Sequence, residues 1–210
     1  MSSIDSRPIS KNKNKSLLIK FLAILSIARW YNISLITISL YAIQIFIYEN
    51  SFSFLIQEKG IHLHLYVLAI DLIIVGGYLI NAFYDFEKDM INQPEKTYFN
   101  ILVSKRSCLN IYILCNILGI TLTFLINTKI LIFSIFLIVA LWIYSHKLRK
   151  KVLFGEISAS FLTISFFLGI ALFNLKFNLT LALFSTYIFT IDLTSCLLYT
   201  SPSPRDLRKS

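Results

Sequence analysis

Charge is scarce in this sequence. Ile33 to Tyr48, Leu72 to Phe83 and Ile157 to Asn174 contain no Asp, Glu, Lys or Arg. Of the 210 residues, 15% are charged and 56% hydrophobic, with a mean hydropathy of +0.71. A soluble domain carries roughly 45–50% apolar residues, so an ordinary soluble fold is excluded. Each charge-free run approaches the roughly 20 residues that carry a helix across a bilayer. Cysteine is scarce too. Cys108, Cys115 and Cys196 show no CxxC spacing and no nearby histidine pair, which argues against a cysteine metal site or a disulfide framework. They are expected as small buried hydrophobes. The net charge of +9 is gathered in short segments between apolar runs, so nucleic acid is not the implied partner. The polar start, MSSIDSRPISKNKNKS, leads into a run that holds Lys20 and Arg29 and has no small-residue cleavage pattern. It is expected to be a basic cytoplasmic tail over residues 1–15 rather than a cleaved signal.

What is present predicts an all-α, polytopic transmembrane helix bundle. An interfacial piece is expected over Ser16 to Ala28, followed by spans near 30–48, 62–84, 108–126, 130–146, 154–173 and 179–195. Trp30 with Tyr31, and Trp142 with Tyr144, sit where an aromatic belt belongs. Lys11, Lys13, Lys15 and Lys20 precede the first span. Lys88, Lys96, Lys105 and Arg106 lie between the second and third; Lys147, Arg149, Lys150 and Lys151 lie between the fourth and fifth. The alternate connections hold only Lys59, Lys129 and Lys176. The positive-inside rule therefore expects the N-terminus and the segment after Asp85 on the inner, cytoplasmic face of a cytoplasmic membrane.

One polar sentence interrupts the apolar text: NAFYDFEKDMINQPEKT, residues 81 to 97. Asn81, Asp85 and Asp89 recur every four residues, which stacks them on one helix face with a small angular drift. Asp71 and Tyr78 continue that side toward the membrane interior, and Pro94 disfavours helix at Gln93. Two readings of the stripe stay open. Its oxygens suit a hard cation, and Mg²⁺ typically binds one or two carboxylates together with substrate phosphates. Equally, such charges can do no more than solvate a helix end. The first reading points to a lipid-tailed diphosphate, whose allylic C–O bond breaks when a metal offsets the charge on the departing group. The cation formed needs a dry pocket with electron-rich faces, which nearby aromatic rings can supply.

At this point the chain resembles the UbiA superfamily of intramembrane prenyltransferases. The family's first aspartate-rich motif, roughly N-D-x-x-D-x-x-x-D followed by I-N-K-P, is similar to Asn81-Ala-Phe-Tyr-Asp85-Phe-Glu-Lys-Asp89-Met-Ile91-Asn92-Gln-Pro94. YSHKLRKKVLFGE, Tyr144 to Glu156, is similar to the family's Y-S-x-x-L-K-R with its later Gly. ARWYN, Ala28 to Asn32, is a weaker match at the entry to the first span. The resemblance covers roughly residues 20 to 195. It implies that Asp85 and Asp89 are the catalytic and metal-binding acids and that Asn81 joins them in holding Mg²⁺. It also implies that Asn32, Arg29, Tyr144, Lys147 and Arg149, with Asn81, bind the substrate. The donor would be a polyprenyl diphosphate and the acceptor lipid-soluble; within the family the chain looks closest to the branch whose acceptor is geranylgeranylglycerol phosphate. A quinone ring or a haem precursor is the alternative acceptor. No protein partner is implied beyond the surrounding membrane lipids.

The chain departs from the family pattern in three places. Ala82 stands where the family has an acid. The family's second motif, around D-x-x-x-D, has no counterpart, since Asp192 is a lone acid. About six of the family's nine spans are represented. The segment CLLYTSPSPRD, Cys196 to Asp206, resembles one reading frame of a transposase adapter used in DNA sequencing. The expected organisation is thus a UbiA-like domain over 16–195 and a non-native tail over 196–210, with the chain as it stands inactive. The rival to an enzyme is a membrane transporter or scaffold that uses Asp71 and Asp85 as a cation or proton path. Asp71 itself is expected either to line a substrate cavity or to be bonded within the helix packing. His62 and His64, two residues apart, point away from each other on a helix and do not form a metal pair. His146 is expected at the interface, and Gly76 with Gly77 as a small-residue surface for close helix packing.

Overall fold

A computed structural model describes residues 13–49, 51–92, 104–148 and 152–200. All regular elements among them are helical. The chain runs α1 (Lys13–Ile27), α2 (Trp30–Ile43), a π-helical turn (Gln44–Glu49) and a 3₁₀ segment (Phe52–Ile56). It continues with α3 (Glu58–Asn92), α4 (Lys105–Ile126), α5 (Thr128–His146), α6 (Val152–Asn174) and α7 (Leu179–Thr200). Among the described residues, five helical stretches are long and apolar enough to cross a bilayer: Trp30–Glu49, Glu58–Phe86, Lys105–Ile126, Thr128–His146 and Phe154–Asn174. A further apolar helix, Leu179–Thr194 within α7, falls at the sixth expected span.

Short polar residues punctuate the helices. Ser104 starts α4 by accepting from Ser107 N at 3.1 Å, and Asn127 starts α5 through Lys129 N at 2.9 Å. Asn178 does the same for α7 through Thr180 N at 2.9 Å. Each satisfies a backbone donor that the first helical turn leaves open. Because Asn127 also closes α4, the connection between α4 and α5 is a single residue, and the two helices must run antiparallel. The same up-and-down order carries from α2 to α6. It brings the start of α2, the end of α3, the end of α5 and the start of α6 to one end of the bundle.

The bundle is built around α3. In its most apolar window 61% of residues are buried, against 22–44% in the other four spans. Leu63, Tyr66, Ile70 and Ile73 on α3 meet Leu40 of α2, Leu137 of α5 and Ile170 of α6 in one core. Large apolar side chains cover the outer surface, among them Leu35, Ile38, Ile117, Phe124, Ile132, Phe136, Phe161 and Leu183. In water such a surface would drive aggregation; in hydrocarbon it is matched to its solvent. The chain is an integral membrane protein.

Close helix approach needs small residues where helices cross α3. A Cβ on Gly119 of α4 would lie 3.0 Å from Ile73 Cγ1 and 3.3 Å from the Ala69 carbonyl of α3. A Cβ on Gly77 of α3 would lie 3.0 Å from Leu141 Cδ2 of α5, while Gly76 faces Tyr112 and Asn116 of α4. The glycine pair is thus a packing surface, as its sequence suggested. Replacing Gly119 with leucine forces α3 and α4 apart and is expected to cost about 1–3 kcal/mol or more. Thermal unfolding in detergent, Gly119→Leu beside the parent chain, measures the loss; an unchanged midpoint would mean the crossing is looser than described.

Candidate functional site

A cavity of about 530 Å³ opens at the end of the bundle where α3 finishes. Helical spacing explains why α3 lines it with a single face. Ile74, Tyr78, Asn81 and Asp85 follow one another at intervals of four, three and four residues, so they form one stripe. Opposite them stand Arg29 and Ile36 of the α2 region, Leu141 and Tyr144 of α5, and Leu162, Thr163 and Phe166 of α6. The mouth is polar, with Arg29, Asn81, Asp85 and Tyr144; deeper down, Ile36, Ile74, Leu162 and Phe166 make it apolar. An amphiphile with a charged head and a hydrocarbon tail matches that gradient.

The Asn81 carbonyl oxygen (Oδ1) is buried and has no hydrogen-bond partner. Leaving such an acceptor unmet costs about 1–3 kcal/mol, and this one lies on the cavity wall. Together with the Asp85 carboxylate it offers hard oxygen donors. Among the described residues, no three His, Cys, Asp or Glu side chains converge to form a complete metal cage. That donor set fits Mg²⁺, which usually relies on one or two carboxylates and completes its shell with phosphate oxygens and water.

Arg29 reaches the mouth through a backbone break. It lies between α1 and α2 with φ 51° and ψ 55°, the left-handed region, which costs a non-glycine residue about 1–2 kcal/mol. There its guanidinium sits over the Tyr78 ring, 5.8 Å from the centroid. From the next turn, Asn32 Nδ2 donates to the Tyr78 hydroxyl at 3.1 Å. One tyrosine on α3 therefore holds the junction of α1 and α2 in two ways, and Arg29 faces the cavity as a result. Tyr78 was not among the site residues expected from sequence. Its place on the Ile74–Asp85 stripe was the available signal.

The remaining expected residues divide clearly. Arg29, Asn81, Asp85 and Tyr144 line the cavity together, and Asn32 supports it through Tyr78. Ala82 also lines the cavity, in the position of the absent acid. Lys147 is exposed just after α5, closing that helix through its N–H to the Ile143 carbonyl at 3.0 Å, and is not part of the lining. Arg149 and the Asp89 side chain lie outside the described residues, although the Asp89 backbone belongs to α3, one turn beyond Asp85. Asp71 does not line the cavity. The Thr37 hydroxyl of α2 donates to its carboxyl group, 3.0 Å from one oxygen and 2.9 Å from the other, so it belongs to the packing between α2 and α3. The two histidines form no pair: His64 Nδ1 meets Tyr41 at 2.8 Å, and His62 Nδ1 meets the Glu58 carbonyl at 3.3 Å. His146 stacks on Trp142 and tilts against Tyr84, and Cys108 and Cys115 are buried free thiols.

Comparison with known proteins gives the family and the fold. The model of the UbiA prenyltransferase family matches residues 51–201. Among curated relatives, the digeranylgeranylglyceryl phosphate synthase of Sulfurisphaera tokodaii is 30% identical over 64% of this chain and 49% of its own. That of Saccharolobus solfataricus is 32% identical over 66% of this chain and 49% of its own. The chain thus spans about half the length of the curated relatives it matches. A solved structure described for digeranylgeranylglyceryl phosphate synthase superimposes with a TM-score of 0.62, at 21% identity, over 84% of this chain and 60% of that one. The last likeness is one of fold.

Tyr78→Leu removes both the ring beneath Arg29 and the hydroxyl held by Asn32, whereas Tyr78→Phe removes only the hydroxyl. The two contacts together are worth about 1–2 kcal/mol. Amide exchange at residues 29–33 is therefore expected to quicken about tenfold or more in Tyr78→Leu and less in Tyr78→Phe. Equal protection in all three proteins would remove Tyr78 from this role.

Proposed function

The chain belongs to the UbiA prenyltransferase family, and from that premise we propose that the whole protein transfers a prenyl group from a polyprenyl diphosphate to a glycerophosphate-type lipid acceptor, with Mg²⁺. The synthase name shared by the curated relatives supports this acceptor over a quinone ring or a haem precursor. The observation that carries the reading is the buried, unpartnered Asn81 Oδ1 beside Asp85, at the polar mouth of an otherwise apolar cavity. A transporter that uses Asp71 and Asp85 as a path is less well supported, because Asp71 turns toward Thr37 and away from the cavity.

In this proposal Asn81 and Asp85 hold the metal, with Asp89 one turn further on as a third oxygen donor. When bound, Mg²⁺ offsets the charge of the diphosphate leaving group. Arg29 supplies a fixed cation to the same phosphates, where a planar guanidinium suits two oxygens at once. Because Tyr78 and Asn32 hold it in place beforehand, little ordering is needed when substrate arrives. Tyr144 completes the polar mouth, and Lys147, exposed just after α5 and outside the lining, adds positive charge at that end. Below it, Ile36, Ile74, Leu162 and Phe166 enclose the prenyl tail and exclude water, which protects a cationic allylic carbon from hydrolysis. The Tyr78 ring offers that carbon an electron-rich face. The mouth is assigned to the cytoplasmic side on the distribution of Lys and Arg.

Asp85→Asn keeps the shape of the side chain and removes its charge. Mg²⁺-dependent retention of a prenyl diphosphate by the purified chain is expected to fall about tenfold to a hundredfold, with membrane insertion intact. Chelating Mg²⁺ from the parent chain should give the same loss. Retention that ignores both changes would sink the assignment of the mouth as a metal–diphosphate site.

A further inference from the structure

A second cavity, about 490 Å³, lies at the other end of the bundle. Its lining comes from the end of the π-helical turn (Glu49), the start of α3 (Lys59, His62), the α4–α5 connection (Asn127) and the end of α6 (Asn174). Lys59 stands roughly 40 Å from Asp85 along α3 at the usual helical rise, so this is a separate place. It also sits where the apolar spans end, at the level of lipid head groups.

The wall is firmly built. Gln44, with none of its surface exposed, and Asn174 exchange two hydrogen bonds, 3.0 Å from Gln44 Nε2 to Asn174 Oδ1 and 2.8 Å from Asn174 Nδ2 to Gln44 Oε1. Asn174 Nδ2 also donates to the Ile170 carbonyl at 2.8 Å. Nearby, the Tyr48 hydroxyl donates to the Lys176 carbonyl at 2.9 Å, which ties the π-helical turn to the end of α6. Phe54, Ile130 and Phe173 supply an apolar base.

The charged groups on this frame are not used by it. Glu49 and Lys59 line the same cavity, both exposed, and among the described residues they form no ion pair with each other. His62 Nδ1 lies 3.3 Å from the Glu58 carbonyl, an acceptor only, so the tautomer with its proton on Nδ1 donates there and presents Nε2 as an acceptor. Asn127 accepts from Lys129 N through Oδ1, which leaves its amide N–H groups to donate. The lining thus mixes acceptors, Glu49 and His62, with donors, Lys59 and Asn127.

We propose that this cavity binds the head of a phospholipid that carries both a phosphate and a primary amine, with Lys59 and Asn127 on the phosphate and Glu49 and His62 on the ammonium. A head group with both charges matches two opposite charges that share a space without meeting. The apolar base receives the first part of the lipid's hydrocarbon. The site is independent of the proposed transfer reaction.

The test is native mass spectrometry of the purified chain in detergent with phosphatidylethanolamine, phosphatidylcholine or phosphatidylglycerol. Phosphatidylethanolamine is expected to be retained about tenfold more tightly than the other two, the value of one charge-assisted hydrogen bond. Choline lacks the N–H donors that Glu49 requires, and a glycerol head lacks the charge. Glu49→Gln should remove the preference for phosphatidylethanolamine over phosphatidylglycerol. Lys59→Ala should weaken all three, and Lys59→Arg should restore them. Equal retention of the three lipids by the parent chain, as an internal Glu49–Lys59 ion pair would give, overturns the proposal. So does a preference that survives Glu49→Gln and Lys59→Ala together.

Discussion

A polar group carried into hydrocarbon must find company there, and most of this structure follows from where α3 puts its polar groups. α3 is the most buried of the spans and the longest, so its buried polar side chains have to find partners among its neighbours. Asp71 is met by Thr37, Tyr78 by Asn32 and Arg29, and His64 by Tyr41. Among the described residues of that helix, Asn81 Oδ1 and the Tyr66 hydroxyl are the exceptions, and of the two only Asn81 lines the cavity. An unmet acceptor on the wall of a cavity has a chemical preference: it suits a cation or a donor.

The two ends of the bundle handle polarity differently. At the Asp85 end, a backbone break and a left-handed residue swing a guanidinium across a tyrosine ring toward a cavity that narrows into aliphatic walls. At the Lys59 end, a buried amide pair and a tyrosine bond to a carbonyl hold a frame around opposite charges that remain apart. Both cavities combine a polar rim with an apolar base, as suits amphiphilic ligands. The rims differ in sign: one gathers oxygen donors around a fixed cation, and the other sets acceptors against donors.

Much of this was legible in the sequence. Charge-free stretches such as Ile33 to Tyr48 are spans because hydrocarbon accepts little else, and Asn81 and Asp85 share a face because four residues make about one helical turn. The expected span over 62–84 was shorter than α3, since hydropathy registers the apolar middle of a helix and not its polar ends at Glu58 and Asn92. Partnership between helices was not legible. Nothing local in the sequence says that Asp71 faces Thr37 rather than the cavity, or that Tyr78 collects Asn32 and Arg29. Those facts depend on how α2 rotates against α3. The left-handed turn at Arg29 was equally hidden, because no glycine or asparagine announces it.

The central claim is that Asn81 and Asp85 share a divalent cation at the mouth of the cavity. Crystals of the protein grown with Mn²⁺ and a non-hydrolysable prenyl diphosphate give an anomalous signal that places the metal directly. The account expects a peak bonded to Asn81 Oδ1 and the Asp85 carboxylate, with the prenyl tail pointing toward Ile74 and Phe166. A metal bound elsewhere, or an Asn81 amide turned to a protein partner while the diphosphate is bound, would contradict it.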